Sequence, residues 1–346
     1  MPNATLTAAI DAVASGRDLG QQETADVLRE IMAGDASDAQ IAAFLIALRT
    51  KGETVEEIAG LAQTMRALAA PVRSARVDLV DTAGTGGGRR TFNVSTTAAL
   101  IAAGAGCALA KHGNRSATGL SGSADVLEAL GARIDLTPDA VSRCIEEVGF
   151  GFMFAPAHHQ ATRFVVPVRR ELAVRTIFNF LGPLTNPAGA RRQLVGVSDA
   201  GFLETMAGAL ARLGTDRALL VSSEDGLDEM STSGPTHVVE VNGEDVRRYV
   251  VVPQDAGLQP SPPDAARGGR PDENAAITRA ILEGSLEPGN PQRDLALLNA
   301  GAAIYAGGRA ESIADGVEQA AAAIDSGAAA RTLEAYVALS RELAAA

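Results

Sequence analysis

The spacing of hydrophobic residues changes near residue 70, and this change limits the possible folds more than any other feature of the sequence. Up to that point apolar residues recur every three or four positions, as in the stripe that begins at Val27 and stops before Gly34. Beyond it, short β-branched runs alternate with helical stretches. Such alternation predicts an α/β fold with a mainly parallel sheet and helices on both faces.

The same change predicts the division into domains. We expect a small all-helical domain over residues 1–70 and a larger α/β domain over residues 75–346. A helical segment near residues 160–187 is expected to join the smaller domain. The 346 residues suffice for two domains, or for one large core with a smaller cap.

Three local signals add detail. Ser37 with Gln40 forms a capping box that predicts a helix start. A short buried strand is predicted over residues 77–80, directly before a run of glycines. Further on, Asn242-Gly243 separates two Val-rich runs, which predicts a hairpin with a type I′ turn.

Composition and charge exclude several classes of protein. With 30 basic and 42 acidic residues the net charge is -12, and no block of Lys or Arg offers a nucleic-acid surface. The longest apolar stretch, residues 98–110, is too short to span a bilayer, and we see no signal peptide. Cys107 and Cys144 lie in apolar stretches. We therefore expect buried thiols, a cytoplasmic location and no membrane partner.

A glycine-rich loop, residues 81–88 with the sequence DTAGTGGG, follows the predicted strand. A helix is predicted to begin near Ser95 and Thr96. Glycine lets the backbone approach a ligand and point several N–H groups at it, and the helix N-terminus adds partial positive charge. The combination favours a phosphate or pyrophosphate ligand, although a glycine run also serves as a tight turn without any ligand.

The loop fits neither of two common phosphate-binding motifs. A Walker loop requires Lys before Ser or Thr, and this loop contains no Lys. The dinucleotide-binding pattern requires a glycine at Arg89 when counted from Gly84, and at Thr91 when counted from Gly86. Neither a nucleoside triphosphatase nor a nicotinamide-dependent enzyme is therefore favoured.

A basic segment, residues 111–116 with the sequence KHGNRS, follows the second predicted strand. Ligands of open parallel sheets bind at the carboxyl ends of the strands, so this segment and the glycine loop are expected at one edge. By itself the segment fits a solvated loop equally well, since exposed basic residues are common. Its position one crossover after the glycine loop favours a binding role.

Taken in order along the chain, several segments resemble anthranilate phosphoribosyltransferases. They are residues 84–87 (GTGG), 93–96 (NVST), 111–115 (KHGNR), 175–179 (RTIFN), 181–187 (LGPLTNP) and the acidic pair 228–229 (DE). The resemblance spans nearly the whole chain and implies the fold shared by nucleoside phosphorylases and these phosphoribosyltransferases. It also implies the substrates phosphoribosyl pyrophosphate and anthranilate, a Mg²⁺ cofactor, a role in tryptophan biosynthesis and a homodimer formed through the helical domain.

The glycine loop departs from the family pattern at one point. Members of the family usually carry Asp after the paired glycines, whereas here the loop is one residue shorter and Gly88 stands in that place. We therefore expect Gly88 to contribute only a backbone contact.

The resemblance implies a phosphoribosyl pyrophosphate site that runs from the glycine loop to the basic segment and the helix after it. The implied residues are Gly84, Gly87, Gly88, Thr91, Asn93, Val94, Ser95, Thr96, Lys111, His112, Gly113, Asn114, Arg115, Ser116, Ala117, Thr118, Gly119 and Ser123. Within this set, Lys111 would pair with phosphate and Asn114 would lie between the two substrates.

The resemblance also implies a magnesium site formed by Ser95, Asp228 and Glu229. Carboxylates are hard oxygen ligands, and Mg²⁺ held by them stays partly hydrated and bridges substrate phosphates. In an acidic protein an acidic pair is more often a solvated loop. The resemblance, and not the pair itself, therefore assigns the metal.

Anthranilate is implied to bind at Gly84, Asn114, His159, Arg169 and Gly182. The planar guanidinium of Arg169 can grip a carboxylate through paired hydrogen bonds. The alternative is an arginine on a helix surface paired with Glu171, which is too close in sequence for good helical pairing. Arg169, Asn114 and Lys111 are thus the expected catalytic residues.

Two other functions remain open. A pyrimidine nucleoside phosphorylase would share the architecture, but it would use inorganic phosphate and would not need the acidic pair. A non-enzymatic relative that binds nucleic acid is opposed by the net charge of -12 and by the intact residues 111–115.

Overall fold

The fold is taken from a computed structural model that describes residues 2–116 and 119–345. Ala117 and Thr118, both expected in the substrate site, lie outside the described residues. The helices are α1 (Ala4–Ala14), α2 (Gln21–Ala33), α3 (Asp38–Lys51), α4 (Val55–Leu68), α5 (Val94–Gly104), α6 (Ser123–Ala129), α7 (Pro138–Val148), α8 (Ala155–His158), α9 (Val166–Leu172), α10 (Phe178–Leu181), α11 (Leu203–Arg212), α12 (Pro271–Leu282), α13 (Pro291–Ala306), α14 (Ile313–Asp325) and α15 (Ala328–Ala345). The strands are β1 (Leu79–Gly84), β2 (Ala108–Gly113), β3 (Phe150–Phe154), β4 (Arg192–Gly196), β5 (Arg217–Ser223), β6 (Thr236–Asn242) and β7 (Asp245–Val251).

All these strands form one sheet in the order β3-β2-β1-β4-β5-β6-β7. Strands β1 to β5 run parallel, and β6 and β7 continue the sheet antiparallel. The chain extends the sheet from β1 first towards β3 and then, from β4, in the opposite direction. This reversal leaves a crevice at the carboxyl ends of β1 and β4, where open α/β sheets bind their ligands.

Alternate residues of the strands face two separate hydrophobic cores, as the period of a strand requires. Leu219 and Val221 of β5 face a core shared with α5, α13, α14 and α15, whereas Ala218 and Leu220 face the second core. The second core also contains the buried faces of α1 to α4, α11 and the segment around Val165 to Leu184. The predicted mainly parallel α/β sheet with a helical N-terminal bundle is confirmed.

The predicted strand at residues 77–80 begins too early. Val77 is 92 % exposed, and β1 instead runs through the buried polar residues Asp81 and Thr82. The prediction from residue spacing ended the buried strand before Asp81, because burying an unpaired carboxylate costs free energy. Here the Asp81 carboxylate accepts hydrogen bonds from Asn186 Nδ2 (2.7 Å) and the His112 backbone N–H (3.0 Å), so the strand continues.

Two local predictions need correction in detail. Ser37 caps α3 by accepting from the Gln40 backbone N–H, but the Gln40 side chain bonds to the backbone of Asn3 and ties α3 to α1. In the hairpin, Asn242 forms the last strand pair with Asp245, and the loop residues are Gly243 and Glu244. Positive φ at the first loop residue alone (61° at Gly243) is the pattern of a type II′ turn, not type I′.

Within the described residues, no helix has both the length and the hydrophobicity required to cross a bilayer. Both cysteines are buried and free. Strand β3 and helix α12 were not foreseen from residue spacing.

Candidate active site

The glycine loop lies at the crevice, between the carboxyl ends of β1 and β4. Its first turn is fixed to β4, since the Thr85 N–H donates to Gly196 O at 2.8 Å. At its far end the Arg89 N–H donates to Gly226 O (2.7 Å), and the Arg89 side chain pairs with Asp225 (2.9 Å). Between these two points the loop is exposed, so its backbone is accessible to a ligand.

Three glycines of the loop are required by geometry. Gly86 and Gly87 have φ values of 66° and 90°, which side chains rarely adopt. A Cβ at Gly88 would lie 2.4 Å from Asp228 Oδ1 and 2.7 Å from the Asp228 backbone nitrogen. Position 88 therefore has no space for a side chain, and the carboxylate of Asp228 lies where one would project.

The start of α5 faces the same crevice. Asn93 occupies the N-cap, but its side chain makes no capping bond and instead contacts Ser121 and Asn274. Asn93 thus gives the first turn no side-chain cap, and the Ser95 backbone N–H bonds to the Glu229 carboxylate instead. The remaining predicted residues of this turn are exposed or buried to different degrees: Thr91 and Ser95 are half-buried, and Val94 and Thr96 are buried.

Lys111 lies beneath this turn and not on the surface. It is 1 % exposed, and its ammonium donates to Thr82 O, to Thr82 Oγ1 (3.2 Å) and to Ser95 Oγ (3.3 Å). Burial lowers the pKa of Lys111, while the nearby carboxylates of Asp81 and Glu229 oppose that shift. The described contacts of Lys111 are therefore with protein groups, and its expected pairing with phosphate stays a prediction.

Asp228 and Glu229 follow β5 and lie beside the glycine loop and Ser95. Both are half-buried. Burial raises the pKa of Asp228, and burial together with the Asp228 charge raises the pKa of Glu229 to about 8, against the pull of Lys111. Carboxylates held like this gain from a divalent cation, which would supply the missing positive charge.

Nowhere in residues 2–116 and 119–345 do three or more His, Cys, Asp or Glu side chains converge as metal ligands. The acidic pair alone fits a metal that takes its other ligands from hydroxyl, water and phosphate oxygens, as Mg²⁺ does. Zinc, which needs three or four protein ligands of the His and Cys type, does not fit.

His112 and His159, both expected at the substrate site, form a buried pair. The rings of His112 and His159 are 5.0 Å apart, and the Nε2 atoms of both are buried without a hydrogen-bond partner. His112 Nδ1 lies 3.3 Å from Gly182 O, and Gly182 itself is exposed with open space around it. Burial lowers the pKa of His112 to about 3 and that of His159 to about 4, so both rings are neutral.

Arg169 belongs to α9, which packs against α3 of the helical bundle. It is half-buried, and its guanidinium lies 5.5 Å from the centre of the Phe178 ring. Burial lowers the pKa of Arg169. Among the described residues it has neither an acidic partner nor a side-chain hydrogen bond, and Glu171 in particular is not paired with it. A guanidinium in this state is suited to a carboxylate from outside the chain.

The basic segment is divided between β2 and the loop that follows. Asn114 is exposed, and its Oδ1 accepts from the Arg115 N–H at 2.7 Å. The Arg115 side chain is paired with Asp125 and Glu128 of α6, so it anchors the loop and is not free for phosphate. Gly113, Ser116, Gly119 and Ser123 lie along the same loop and helix start, where the Ser116 N–H also donates to Asp125.

Sequence reasoning missed three residues that organise the site. Asp81 and Asn186 form a buried hydrogen bond under the crevice, and Asn186 Nδ2 also donates to Ala110 O (2.8 Å). Arg175 donates to Gly86 O in the glycine loop at 3.2 Å. Two of them stand inside the segments 175–179 and 181–187, so the family signature was the signal that could have found them.

Residues 76–330 match the family model described as "Glycosyl transferase family, a/b domain", and residues 7–69 match "Glycosyl transferase family, helical bundle domain". The fold and the site thus define a glycosyltransferase with a helical bundle and an α/β domain. The chain is 54 % identical over 340 residues to the anthranilate phosphoribosyltransferase of Rubrobacter xylanophilus, covering 98 % of each chain. It is 53 % identical over 330 residues to that of Symbiobacterium thermophilum, covering 95 % of this chain and 96 % of the relative.

Solved structures agree with these relatives. The crystal structure of anthranilate phosphoribosyltransferase from Thermus thermophilus superimposes with a TM-score of 0.91 at 46 % identity, covering 96 % of this chain and 99 % of that one. The enzyme from Saccharomyces cerevisiae in complex with PRPP and Mg gives 0.90 at 28 % identity and covers 99 % of each chain. This chain belongs to the anthranilate phosphoribosyltransferase family.

Proposed function

We infer that this protein transfers the phosphoribosyl group of 5-phosphoribosyl 1-pyrophosphate (PRPP) to the amine of anthranilate. The products are N-(5-phosphoribosyl)anthranilate and pyrophosphate, and the reaction is a step of tryptophan biosynthesis. The observation that carries this function is the meeting of Asp228 and Glu229 with the glycine loop and the start of α5 at the crevice. A nucleoside phosphorylase acting with inorganic phosphate would have no use for that acidic pair.

The pyrophosphate would be held by backbone donors. The exposed backbone of Gly84, Gly86 and Gly87 and the start of α5, whose N-cap residue supplies no side-chain cap, favour a strongly negative ligand in the crevice. Mg²⁺ bound by Asp228 and Glu229, with Ser95 nearby, would add positive charge to the phosphate oxygens. Lys111 supports the same region from below by offsetting the charge of Asp81 and Glu229.

Anthranilate would be held by its carboxylate. Arg169 is the half-buried guanidinium without an acidic partner described above, and charge-assisted paired hydrogen bonds fix both position and orientation. The neutral His112 and His159 would line the anthranilate subsite without adding charge. Asn114, which is exposed, would lie between the two substrates. The amine is nucleophilic when neutral, so correct positioning suffices and no strong general base is needed.

The decisive experiment follows the fluorescence of anthranilate after PRPP is added, with and without Mg²⁺. The expected result is a loss of fluorescence that depends on both PRPP and the divalent ion. Phosphorolysis of thymidine or uridine is the matched assay for a nucleoside phosphorylase. Activity there, with none on anthranilate, would overturn the proposed function.

The metal is tested separately by calorimetry in the presence of pyrophosphate. We expect Mg²⁺ binding in the wild type and its loss in Asp228→Asn and Glu229→Gln, because neutral amides are much poorer ligands for a hard cation. Equal Mg²⁺ affinity in all three proteins would exclude the acidic pair as the metal site.

We also propose a homodimer formed through the helical domain, and a cytoplasmic location. The outward positions of α1 include Ala4, Ala8 and Ala14, small residues that allow a second helix to approach closely. The two buried free thiols are compatible with a reducing compartment. Sedimentation equilibrium on the purified protein, with Ala8→Glu as the disrupting variant, tests the dimer.

A further inference from the structure

Arg175 leaves the segment between α9 and α10 and reaches the middle of the glycine loop. Its Nη2 donates to Gly86 O at 3.2 Å and to Ser198 Oγ at 2.9 Å. A Cβ built on Gly87 would lie 2.6 Å from Arg175 Nη1, so the guanidinium is in contact with the backbone of both glycines. These two glycines have positive φ, a backbone conformation that side chains rarely adopt.

The second partner of Arg175 connects this contact to the sheet. Ser198 Oγ lies 3.1 Å from Thr85 Oγ1, and the Ser198 N–H donates to Thr85 Oγ1 at 3.0 Å. Arg175, Ser198 and Thr85 thus form a chain of hydrogen bonds from the end of β4 through the glycine loop. Glycine has the most backbone freedom to lose, so a loop of this composition needs such ties to keep one shape.

The guanidinium of Arg175 also packs on an aromatic ring. It lies 5.2 Å from the centre of the Phe180 ring, and Phe180 stacks on Phe202 at 4.0 Å with an angle of 13° between the rings. Stacking of this kind fixes a planar guanidinium and leaves its edge free for hydrogen bonds. A lysine could keep the charge but not the planar contact.

The backbone before Arg175 adopts an unusual conformation. Ala173 has a φ of 52°, the left-handed region, and it is the single non-glycine residue of the described chain with a positive φ. Its N–H donates to Arg169 O and ends α9. Such strain persists where the surroundings require it, and it clusters at functional sites. The turn at Ala173 separates Arg169, on the anthranilate side, from Arg175, on the glycine loop.

We propose that Arg175 is a positioning residue that holds the glycine loop in its pyrophosphate-binding shape, through Gly86 and the Ser198–Thr85 hydrogen bonds. The inference rests on the proposed function for the identity of the ligand. Arg175 does not need to touch anthranilate, so its loss affects the PRPP side of the site selectively.

The test compares Arg175→Ala, Arg175→Lys and Ser198→Ala with the wild type, with Arg163→Ala as the matched control. Arg163 lies in the same joining segment and also packs on an aromatic ring, at 4.8 Å from that of Phe164. For Arg175→Ala we expect the Michaelis constant for PRPP to rise about tenfold or more, the effect of losing hydrogen bonds made by a charged donor. The constant for anthranilate should change less than about twofold.

Two further readouts separate positioning from a general loss of structure. Guanidinium ion at low millimolar concentration should restore part of the PRPP affinity of Arg175→Ala, whereas a merely misfolded site would not respond. Amide exchange of residues 84–88 in the ligand-free protein should accelerate in Arg175→Ala and Ser198→Ala, but not in Arg163→Ala. Ser198→Ala keeps the inference testable should Arg175→Ala fail to fold.

The outcomes are distinguishable. Unchanged PRPP binding and unchanged loop exchange in Arg175→Ala or Ser198→Ala would overturn the positioning role. A wild type that does not bind PRPP in the presence of Mg²⁺ would overturn the proposed function instead. The exchange measurement would then still decide whether Arg175 orders the loop.

Discussion

Individual residues of the site carry charges that are largely withdrawn from water. Lys111 is 1 % exposed and lies near the carboxylates of Asp81 and Glu229, and Arg169 is half-buried without an acidic partner. A buried charge is tolerated when opposite charge is at hand, and an unpartnered one is costly. The unmet charge of Arg169 and of the acidic pair therefore marks the two places where a ligand would be most stabilising.

Replacing Arg169 with Ala should weaken anthranilate binding selectively. Loss of a charge-assisted pair costs about 1.5–3 kcal/mol, which corresponds to a roughly 10- to 100-fold rise in the anthranilate Michaelis constant. The PRPP constant should change little. Arg170→Ala, which removes the exposed neighbouring arginine, is the control. An unchanged anthranilate constant in Arg169→Ala would remove this residue from the site.

His159 should make the protein sensitive to acid. Burial lowers the pKa of His159 to about 4 from the ordinary value of 6.5. Below pH 6.5, His159 is therefore protonated in the unfolded chain while it stays neutral in the folded protein. Its contribution to stability is present above pH 6.5 and is lost as the pH falls towards 4, by up to about 1.4 kcal/mol per pH unit.

The measurement is the free energy of unfolding in urea for the wild type and His159→Asn between pH 4.5 and 8. We expect the difference between the two proteins to be constant above pH 7 and to shrink on acidification, because only the wild type carries this proton linkage. Asp81, whose pKa burial raises to about 6, titrates in both proteins and cancels in the comparison. Parallel curves down to pH 4.5 would contradict the prediction.

At the scale of elements, the end of β4 supports the segment that carries the acids. A Cβ built on Gly196 would lie 1.6 Å from Asp228 O, so this glycine allows the chain after β5 to cross directly over the strand end. Gly196 O also accepts from the Thr85 N–H at 2.8 Å. One backbone position thus sets the distance between the glycine loop and the acidic pair.

Gly196→Ala should therefore impair the reaction more than the fold. Displacement of Asp228 and Glu229 by about an ångström is expected to lower kcat/KM roughly 100-fold. Gly234→Ala is the matched control, since its Cβ would meet nothing within 4 Å. Thermal melting by circular dichroism and the anthranilate assay together check the prediction, and near-wild-type turnover in Gly196→Ala would refute it.

At the scale of the whole molecule, the helical bundle and one face of the sheet share a core. Met206 of α11 is fully buried in it, together with Leu61 of α4 and Leu220 of β5. Hydrophobic contacts therefore cross the expected boundary at residues 70–75. The division into two domains stays a prediction, and the shared core favours a single cooperative unit.

Met206→Ala should reveal this cooperation. Truncating a buried methionine costs about 2–5 kcal/mol. If the core is one unit, amide exchange should accelerate in α4 and in β5 alike, because both open together. Mass-spectrometric exchange of the two segments provides the comparison. Acceleration confined to α4 and α11 would show that the bundle unfolds independently of the sheet.

Local physics accounts for what the sequence predicted correctly. The helical stripes of the N-terminal bundle, the strand–glycine loop–helix unit and the parallel character of the sheet follow from residue spacing and turn chemistry. Predictions were less accurate where a residue far away in the sequence determines a hydrogen bond or the end of a strand. The Gln40 side chain bonds to Asn3 and not back to Ser37. Strand β1 continues through Asp81 because Asn186 Nδ2 donates a hydrogen bond to the Asp81 carboxylate.

The sequence by itself determined the helical bundle, the strand–glycine loop–helix unit and the groups that could bind phosphate, because each depends on neighbours within a few positions. Only the tertiary structure decided which groups meet. Asp81 and Asn186 are 105 positions apart, and Arg175 and Gly86 are 89 apart. Their contacts depend on β1 lying between β2 and β4, and strand order is set by the packing of both sheet faces, which no local pattern encodes.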